Sequence, residues 1–247
     1  MGHQALNNEV HKSVRVINRL SPSLGDNVGF SHVFPAEFAA AQGEFPIVVK
    51  QSSDDSDSLE IIALYSLEAG KNLFLTDQGW QASYLPLTMQ RAPFLIGFEQ
   101  TQENGIPKQN PVVHIDMDHP KVVQEPGGTE GEALFLEHGG TTEFLNHKSS
   151  VLMGILEGKQ QADSFLAALT QYQLLEPLSL SVTFDNGEQL NVSGLMTINE
   201  EVLKDLSKEV VADLHEKQYL APIYMMLASL TNVRKLVELR NQQTATF

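Results

Sequence analysis

The sequence predicts an α+β fold, with antiparallel strands concentrated in the first half of the chain and helices in the second. Two observations predict it. In the first half, short apolar runs rich in β-branched residues alternate with polar, turn-forming stretches, which is typical of strands joined by loops. In the second half, apolar residues recur every three or four positions, which is the spacing of one face of a helix.

The strand candidates of the first half are short and separated by polar segments. The run QSSDDSDS, between the first two candidates, is too acidic to pack and predicts a solvated hairpin loop. Turn-forming residues predict two further exposed loops, at 101–111 and 124–132. The candidates are Phe45–Lys50, Leu59–Tyr65, Asn72–Thr76, the stretch from Trp80 to Leu87, Phe94–Phe98 and Pro111–Asp116.

The second half contains three predicted helices and one late β-hairpin. The first helix runs from about Ser149 to Tyr172. The hairpin follows, because the pair Asn186 and Gly187 tolerates the positive φ angles of a tight reversal. The second helix begins near Glu200, after Asn199 as a capping residue, and Pro222 suits the first turn of the third.

A second architecture is also compatible with the pattern of strands. A cupin-like double-stranded β-helix barrel needs at least eight strands, and the first half together with the late hairpin could just supply them. In that fold the strands would close into a barrel, whereas in the α+β fold the helices pack against open sheets. The α+β fold is the prediction, and the barrel is its alternative.

The composition excludes several classes of function. The chain has 247 residues and no cysteine, so no disulfide, zinc–thiolate site or cysteine nucleophile is possible. Its formal net charge of -15 repels phosphate groups, so we expect no nucleic-acid binding. The most apolar run, Leu220–Leu230, is too short to span a bilayer. The first residues lack the apolar segment of a secretory signal, which predicts a cytoplasmic location.

Short motifs follow one another along most of the chain. They are Trp80–Pro86 (WQASYLP), Arg91–Phe94 with Gly97, Ile115–Asp116, Ala133–Phe135 with Gly139 or Gly140, Asp185–Gly187 with Gly194–Leu195 and Asn199–Glu200, and Tyr224–Leu236. In this order and spacing they resemble the SapC family of bacterial proteins, from about Phe34 to Leu239. The resemblance implies a single SapC-like domain over 1–247, with a strand-rich part at about 28–140 and a helix–hairpin–helix–helix part at about 146–241.

The resemblance implies function only in outline. Proteins similar to SapC are encoded near TonB-dependent receptors, tryptophan-halogenase-like flavoproteins and cupin-like proteins, and no catalytic residue set carries over to this chain. It therefore implies a ligand- or protein-binding accessory protein, linked to uptake and flavin halogenase-like pathways. Because the chain has no strong catalytic motif, a non-enzymatic role is favoured. A flavin-dependent halogenase-like protein or a cupin-like protein is the implied partner, beside an unidentified small-molecule ligand.

Four large side chains form the candidate binding surface. Aromatic faces and a guanidinium group dominate binding hot spots, and together they could hold a flat ligand or a partner peptide. The same side chains are also typical of a core, in which the arginine pairs with a carboxylate. The candidates are Trp80, Tyr84, Arg91 and Phe94.

His114 and Asp116 carry an alternative function. If this segment is a strand, both side chains project from one face. With a distant histidine, His-x-Asp gives the two-His-one-carboxylate arrangement of a non-haem Fe(II) oxygenase, which leaves positions open for 2-oxoglutarate and oxygen. The structural interpretation is that 116–120 forms a turn leaving the strand. The candidate third ligands are His138, His147 and His215.

Overall fold

The structure is a computed structural model that describes residues 2–52, 58–103, 106–125 and 128–245. Its mixture of helices and antiparallel sheets confirms the α+β prediction. The chain divides into two compact units, each built from two stretches of sequence. The first unit is Met1–Asp26 with Leu87–Leu156, and the second is Asn27–Pro86 with Glu157–Phe247. The single SapC-like domain stays a prediction.

The strands, numbered in chain order, are mostly short apart from two long hairpins. They are β1 (His3–Ala5), β2 (Arg15–Val16), β3 (Phe30–His32), β4 (Ile47–Gln51), β5 (Leu59–Leu64), β6 (Leu75–Thr76), β7 (Gly79–Trp80), β8 (Phe94–Glu103), β9 (Ile106–Asp116), β10 (Val122–Val123), β11 (Glu132–Ala133), β12 (Leu175–Thr183) and β13 (Gln189–Ile198).

The helices are concentrated after residue 142, as predicted. They are α1 (Phe38–Ala41), α2 (Leu87–Gln90), α3 (Glu143–Gln171), α4 (Glu200–Lys204), α5 (Lys208–Glu216), α6 (Leu220–Ser229) and α7 (Asn232–Ala245). Among these helices of the described segments, none combines the length and apolar character needed to cross a bilayer.

The first unit contains two three-stranded antiparallel sheets, with strand orders β1-β9-β8 and β10-β2-β11. Phe94 of β8 lies opposite Ile115 of β9, and both side chains are fully buried. They belong to a core cluster whose other members come from β2 and the residue just before it, from the segment after β11 and from α3. The buried members are Val14, Val16, Phe94, Ile115, Leu134, Leu145 and Leu152.

The exposed loop predicted at 101–111 is wrong. β8 continues to Glu103 and β9 begins at Ile106, so most of this segment forms the outer part of a long hairpin. The side chains of 101, 102, 109 and 111 are exposed, and polar residues are tolerated there because a strand pairs through its backbone whatever its side chains. The turn itself and the acidic run at 53–57 lie outside the described residues, as do 126–127 of the third predicted loop.

The second unit contains a five-stranded antiparallel sheet with strand order β12-β13-β4-β5-β3 and the small β6–β7 hairpin. The late hairpin is confirmed, with Gly187 in its turn at a φ of 83°. The predicted first helix corresponds to α3, which begins six residues before Ser149. Gly158 of α3 lies so close to Phe34 that an added Cβ would be 2.5 Å from its ring.

The last two predicted helices each appear as two shorter ones. Asn199 caps α4 by accepting a hydrogen bond from the Val202 amide at 3.0 Å, as predicted. Ser207 then caps α5 in the same way. It therefore starts a new helix, where the apolar spacing alone predicts that the helix from Glu200 continues. None of the four sheets formed by the described residues closes into a barrel, so the cupin-like alternative finds no support.

Candidate functional site

The four predicted surface residues fall in two different units. Trp80 and Tyr84 lie in the second unit, whereas Arg91 and Phe94 lie in the first. Phe94 is fully buried in the first-unit core, so it stabilises β8 instead of presenting a contact surface. Arg91 is exposed, and its Nη1 donates a long hydrogen bond of 3.4 Å to the Phe94 carbonyl oxygen.

Trp80 lies at the margin of an aromatic cluster in the second unit. Its ring centroid is 6.0 Å from Phe45, 5.2 Å from Tyr65 and 5.9 Å from Phe74. These three rings are buried, whereas Trp80 is only partly buried. The indole Nε1 donates to the carbonyl oxygen of Tyr84 at 2.8 Å, which fixes the ring against the segment that follows β7. Trp80 thus combines a packed face with an accessible one.

Tyr84 is anchored by a buried carboxylate that the sequence analysis missed. Its hydroxyl donates to Glu37 Oε1 at 2.7 Å, and Glu37 Oε2 accepts from the Phe34 amide at 3.0 Å. Burial and this hydrogen bond to the carboxylate both raise the pKa of Tyr84 above its ordinary value. The phenol therefore stays a protonated donor. Pro35 followed by a glutamate two residues later is the available sequence signal, since it marks a capped helical turn.

A second carboxylate ties the Trp80 segment to the last helix. Glu44 Oε2 accepts from Lys235 Nζ of α7 at 2.6 Å, and Glu44 Oε1 accepts from the amide of Ser83 at 3.2 Å and from its hydroxyl. Burial alone would raise the pKa of Glu44, but the bonds from Lys235 and Ser83 outweigh it and lower the pKa. The Lys235 ammonium also lies 5.2 Å from the centroid of Phe74.

A cleft of about 380 Å³ lies between the segment 73–81 and α7. Small-molecule sites occupy roughly 300–1,000 Å³ and pair apolar walls with a few polar groups. The cleft has the size of such a site, its walls combine three apolar with five polar residues, and Phe74 joins it to the aromatic cluster of Trp80. They are formed by Leu73, Phe74, Thr76, Gln81, Lys235, Leu239, Gln242 and Gln243.

A larger cleft of about 740 Å³ lies elsewhere in the second unit, between α3 and the α5–α6 connection. Its walls are mainly exposed glutamine, lysine and serine side chains, with Tyr219 and Pro222 as the bulkiest apolar parts. Such flexible walls pre-organise little, because each side chain must be ordered when a ligand binds. We therefore place the candidate site in the smaller cleft, whose aromatic wall is packed and whose lysine is already fixed.

His114 and Asp116 lie on β9, as the metal hypothesis requires, but their surroundings do not fit a metal site. The His114 ring covers Gly97 of β8, where an added Cβ would overlap it. Asp116 Oδ1 accepts from the amide of Asp118 at 3.1 Å, as expected if 116–120 forms a turn leaving the strand. Across the described part of the chain, no three His, Asp or Glu side chains converge to hold a metal ion. These residues therefore do not fit an Fe(II) centre.

The first unit contains a buried charged cluster that no local pattern indicates. Lys121 Nζ and Asp26 Oδ1 are 2.7 Å apart, and each side chain is 5% exposed. Asp26 Oδ2 also accepts from the Ser21 amide at 2.9 Å. Lys148 of α3 is also buried and interacts electrostatically with this pair, and its Nζ donates to the Gln90 carbonyl oxygen at 2.7 Å. Asp26 and Lys121 are 95 positions apart, so sequence spacing could not find them.

We expect the buried Lys148 to make stability depend on pH. Burial, and secondarily the positive charge of Lys121, lowers the pKa of Lys148 from 10.5 to about 8, against a smaller raising effect of Asp26. Between about pH 8 and 10.5 the unfolded chain therefore binds a proton that the folded protein does not, so the free energy of unfolding rises with pH. The rise is at most about 3 kcal/mol, at 1.36 kcal/mol per pKa unit.

Urea unfolding across this range measures that effect, with Lys148→Met as the matched variant. We expect the variant to show a flatter pH profile, because it removes the titrating amine and keeps an unbranched side chain. An identical rise in both proteins would contradict the assignment to Lys148.

The comparisons with known proteins agree with the motif pattern. The model of the family described as SapC matches residues 6–236, nearly the whole chain. No curated protein and no solved structure matches it. The matched range covers most of both units, including the aromatic cluster of Trp80 and the buried cluster around Lys121. The chain therefore belongs to the SapC family.

Proposed function

We propose that this SapC-family member is an accessory binding protein of the bacterial cytoplasm that holds a flat ligand in the cleft beside Trp80. The observation that carries the proposal is the meeting of an aromatic wall with a fixed cation. Phe74 belongs to the Trp80 cluster, and Lys235 lies over its ring while bound to Glu44. A ligand with an apolar body and a polar or anionic rim matches this pairing.

The cleft is already organised before a ligand arrives. Trp80 is fixed through Tyr84, Tyr84 through Glu37, and Lys235 through Glu44. Side chains held in this way lose little conformational entropy on binding, which favours affinity. Arg91 belongs to the first unit and is not part of this cleft; its exposed side chain stays a separate proposed contact.

The partners implied by the resemblance complete the proposal. An accessory protein of this kind delivers or retains a small molecule for a flavin-dependent halogenase-like protein or a cupin-like protein. Either partner can be tested by co-purification from cells that express both proteins. Co-purification of the partner that is lost when the cleft residues are substituted would support the link to halogenase-like pathways.

The single tryptophan makes the cleft directly testable. The probe is 1-anilinonaphthalene-8-sulfonate, an aromatic anion with a planar naphthalene ring that accepts excitation energy from tryptophan. We expect energy transfer from Trp80, the only tryptophan in the chain, and about tenfold weaker binding for Lys235→Ala, which corresponds to about 1.4 kcal/mol. Leu239→Glu should weaken binding as well, because it places a negative charge in the cleft wall.

The neighbouring residue of α7 provides a matched control. The Arg234 side chain is 87% exposed and pairs with Glu238 along the helix, away from the cleft walls. Arg234→Ala removes the same charge from the same helix and should bind the probe as the unaltered protein does. Equal weakening in both alanine variants, or no energy transfer at all, would overturn the proposed site.

A further inference from the structure

Strand β8 forms one edge of the β1-β9-β8 sheet in the first unit. It is ten residues long and pairs with β9 from Phe94 to Glu103. Within the described ranges, no strand pairs with its other side. A long edge of this kind offers unpaired backbone groups to any extended chain that approaches it.

The hydrogen bonds of the neighbouring strand show which groups face outward. The Asp116 amide points toward β8 and donates to the Pro93 carbonyl oxygen at 3.0 Å. The Val113 carbonyl oxygen points the other way, toward β1, and accepts from the Leu6 amide at 2.9 Å. Bonding direction alternates along an antiparallel pair, so Leu95 and Gly97 bond to β9. The remaining positions, Ile96, Phe98 and Gln100, direct their N–H and C=O groups away from β9. Pro111, which has no N–H, lies opposite Phe98, as this alternation requires.

The side chains of the same edge extend an apolar face beyond the core. Phe94 is fully buried and Ile96 packs against the core cluster, but Phe98, two residues further, is 53% exposed. The sequence of β8, FLIGFEQTQE, contains neither the lysine nor the proline with which edge strands often block pairing. Pairing with another chain would cover Phe98.

Charge determines which occupant fits. Glu99 is exposed on β8 beside Phe98, and the whole chain carries a net charge of -15. A second copy of the chain would place its Glu99 near this one and bring together two proteins that each carry a net charge of -15, which opposes association. A basic chain is attracted by both features.

We propose that β8 binds an extended, basic segment of a partner protein as an additional strand of this sheet. The segment forms main-chain hydrogen bonds with Ile96, Phe98 and Gln100. Its apolar side chains cover Phe98, and its lysine or arginine side chains alternate with them and reach Glu99 on the other face. This surface shares no residue with the cleft beside Trp80, so either proposal can fail without the other.

Amide hydrogen exchange with a synthetic peptide of alternating lysine and valine tests the proposal. We expect the peptide to slow exchange at the amides of Ile96, Phe98 and Gln100. The amides of Leu95 and Gly97 already bond to β9 and should change little. Protection that appears at neither Phe98 nor Gln100 would overturn the assignment, and equal binding of a glutamate–valine peptide would overturn its basic character.

Gln100→Pro and Gln100→Thr form a matched pair of variants. Proline removes the outward N–H without touching a bond to β9, so we expect at least tenfold weaker peptide binding, while threonine keeps the N–H and should bind normally. If Gln100→Pro lowers the melting temperature, Phe98→Lys serves instead, because it places a repelling charge at an exposed position. Equal binding by all variants contradicts the proposal. Sedimentation gives a second contradicting outcome. If the unaltered protein self-associates and the same substitutions make it monomeric, the strand that pairs with β8 is a second copy of the chain.

Discussion

Asp26→Ala should lower the free energy of unfolding by about 3–5 kcal/mol, the usual cost of removing one partner from a buried ion pair. The substitution leaves Lys121 buried without its carboxylate, at a place where Lys148 already adds positive charge. It also leaves the Ser21 amide without its acceptor. Urea unfolding at neutral pH measures the change.

A double variant separates the lost charge pair from lost packing. Asp26→Leu with Lys121→Met replaces both ions by apolar side chains, and such replacements are often neutral or stabilising. We expect it to exceed the stability of Asp26→Ala by at least about 1 kcal/mol. Glu238→Ala removes a carboxylate from the exposed pair with Arg234 and should cost less than about 1 kcal/mol. A loss for Asp26→Ala no larger than for Glu238→Ala would show that the buried pair is not a source of stability.

Phe45→Ala should lower the free energy of unfolding by about 3–5 kcal/mol, the range found when a buried phenylalanine is truncated. Phe45 is fully buried, and its ring lies 5.2 Å from Tyr65, 4.9 Å from Phe74 and 6.0 Å from Trp80. Its removal leaves a cavity at the centre of the aromatic cluster. The fluorescence of Trp80 should shift to longer wavelength, since water gains access to the indole.

Phe30→Ala is the matched control for this substitution. Phe30 belongs to the same unit and is 41% exposed, so its truncation creates no cavity and should cost about 1 kcal/mol or less. Phe45→Ala should also weaken binding of the sulfonate probe, because Phe74 packs on Phe45 and forms a wall of the cleft. Unchanged tryptophan fluorescence together with unchanged stability would contradict the central role of Phe45.

Only part of the candidate site could be predicted from the sequence. Trp80 and Tyr84 stand out because large aromatic side chains beside prolines are visible in any single chain. Glu37 and Lys235 do not, since an isolated glutamate or a helical lysine is usually solvated. Their roles come from chain segments 47 and 191 positions from their partners, Tyr84 and Glu44. Phe94 was visible for the same reason as Trp80, but its burial depends on β9 and α3, which spacing does not reveal.

The sequence by itself determined the local elements: the hairpin around Gly187, the cap at Asn199, the helical period of α3 and the concentration of strands in the first half. These depend on backbone preferences and on neighbours within a few residues, which a single chain displays. Only the tertiary structure decided that β8 lies at a sheet edge, that Lys121 meets Asp26 and that Glu44 joins Ser83 to α7. Those relations are between residues far apart in sequence, and they follow from which surfaces pack together once the elements have formed.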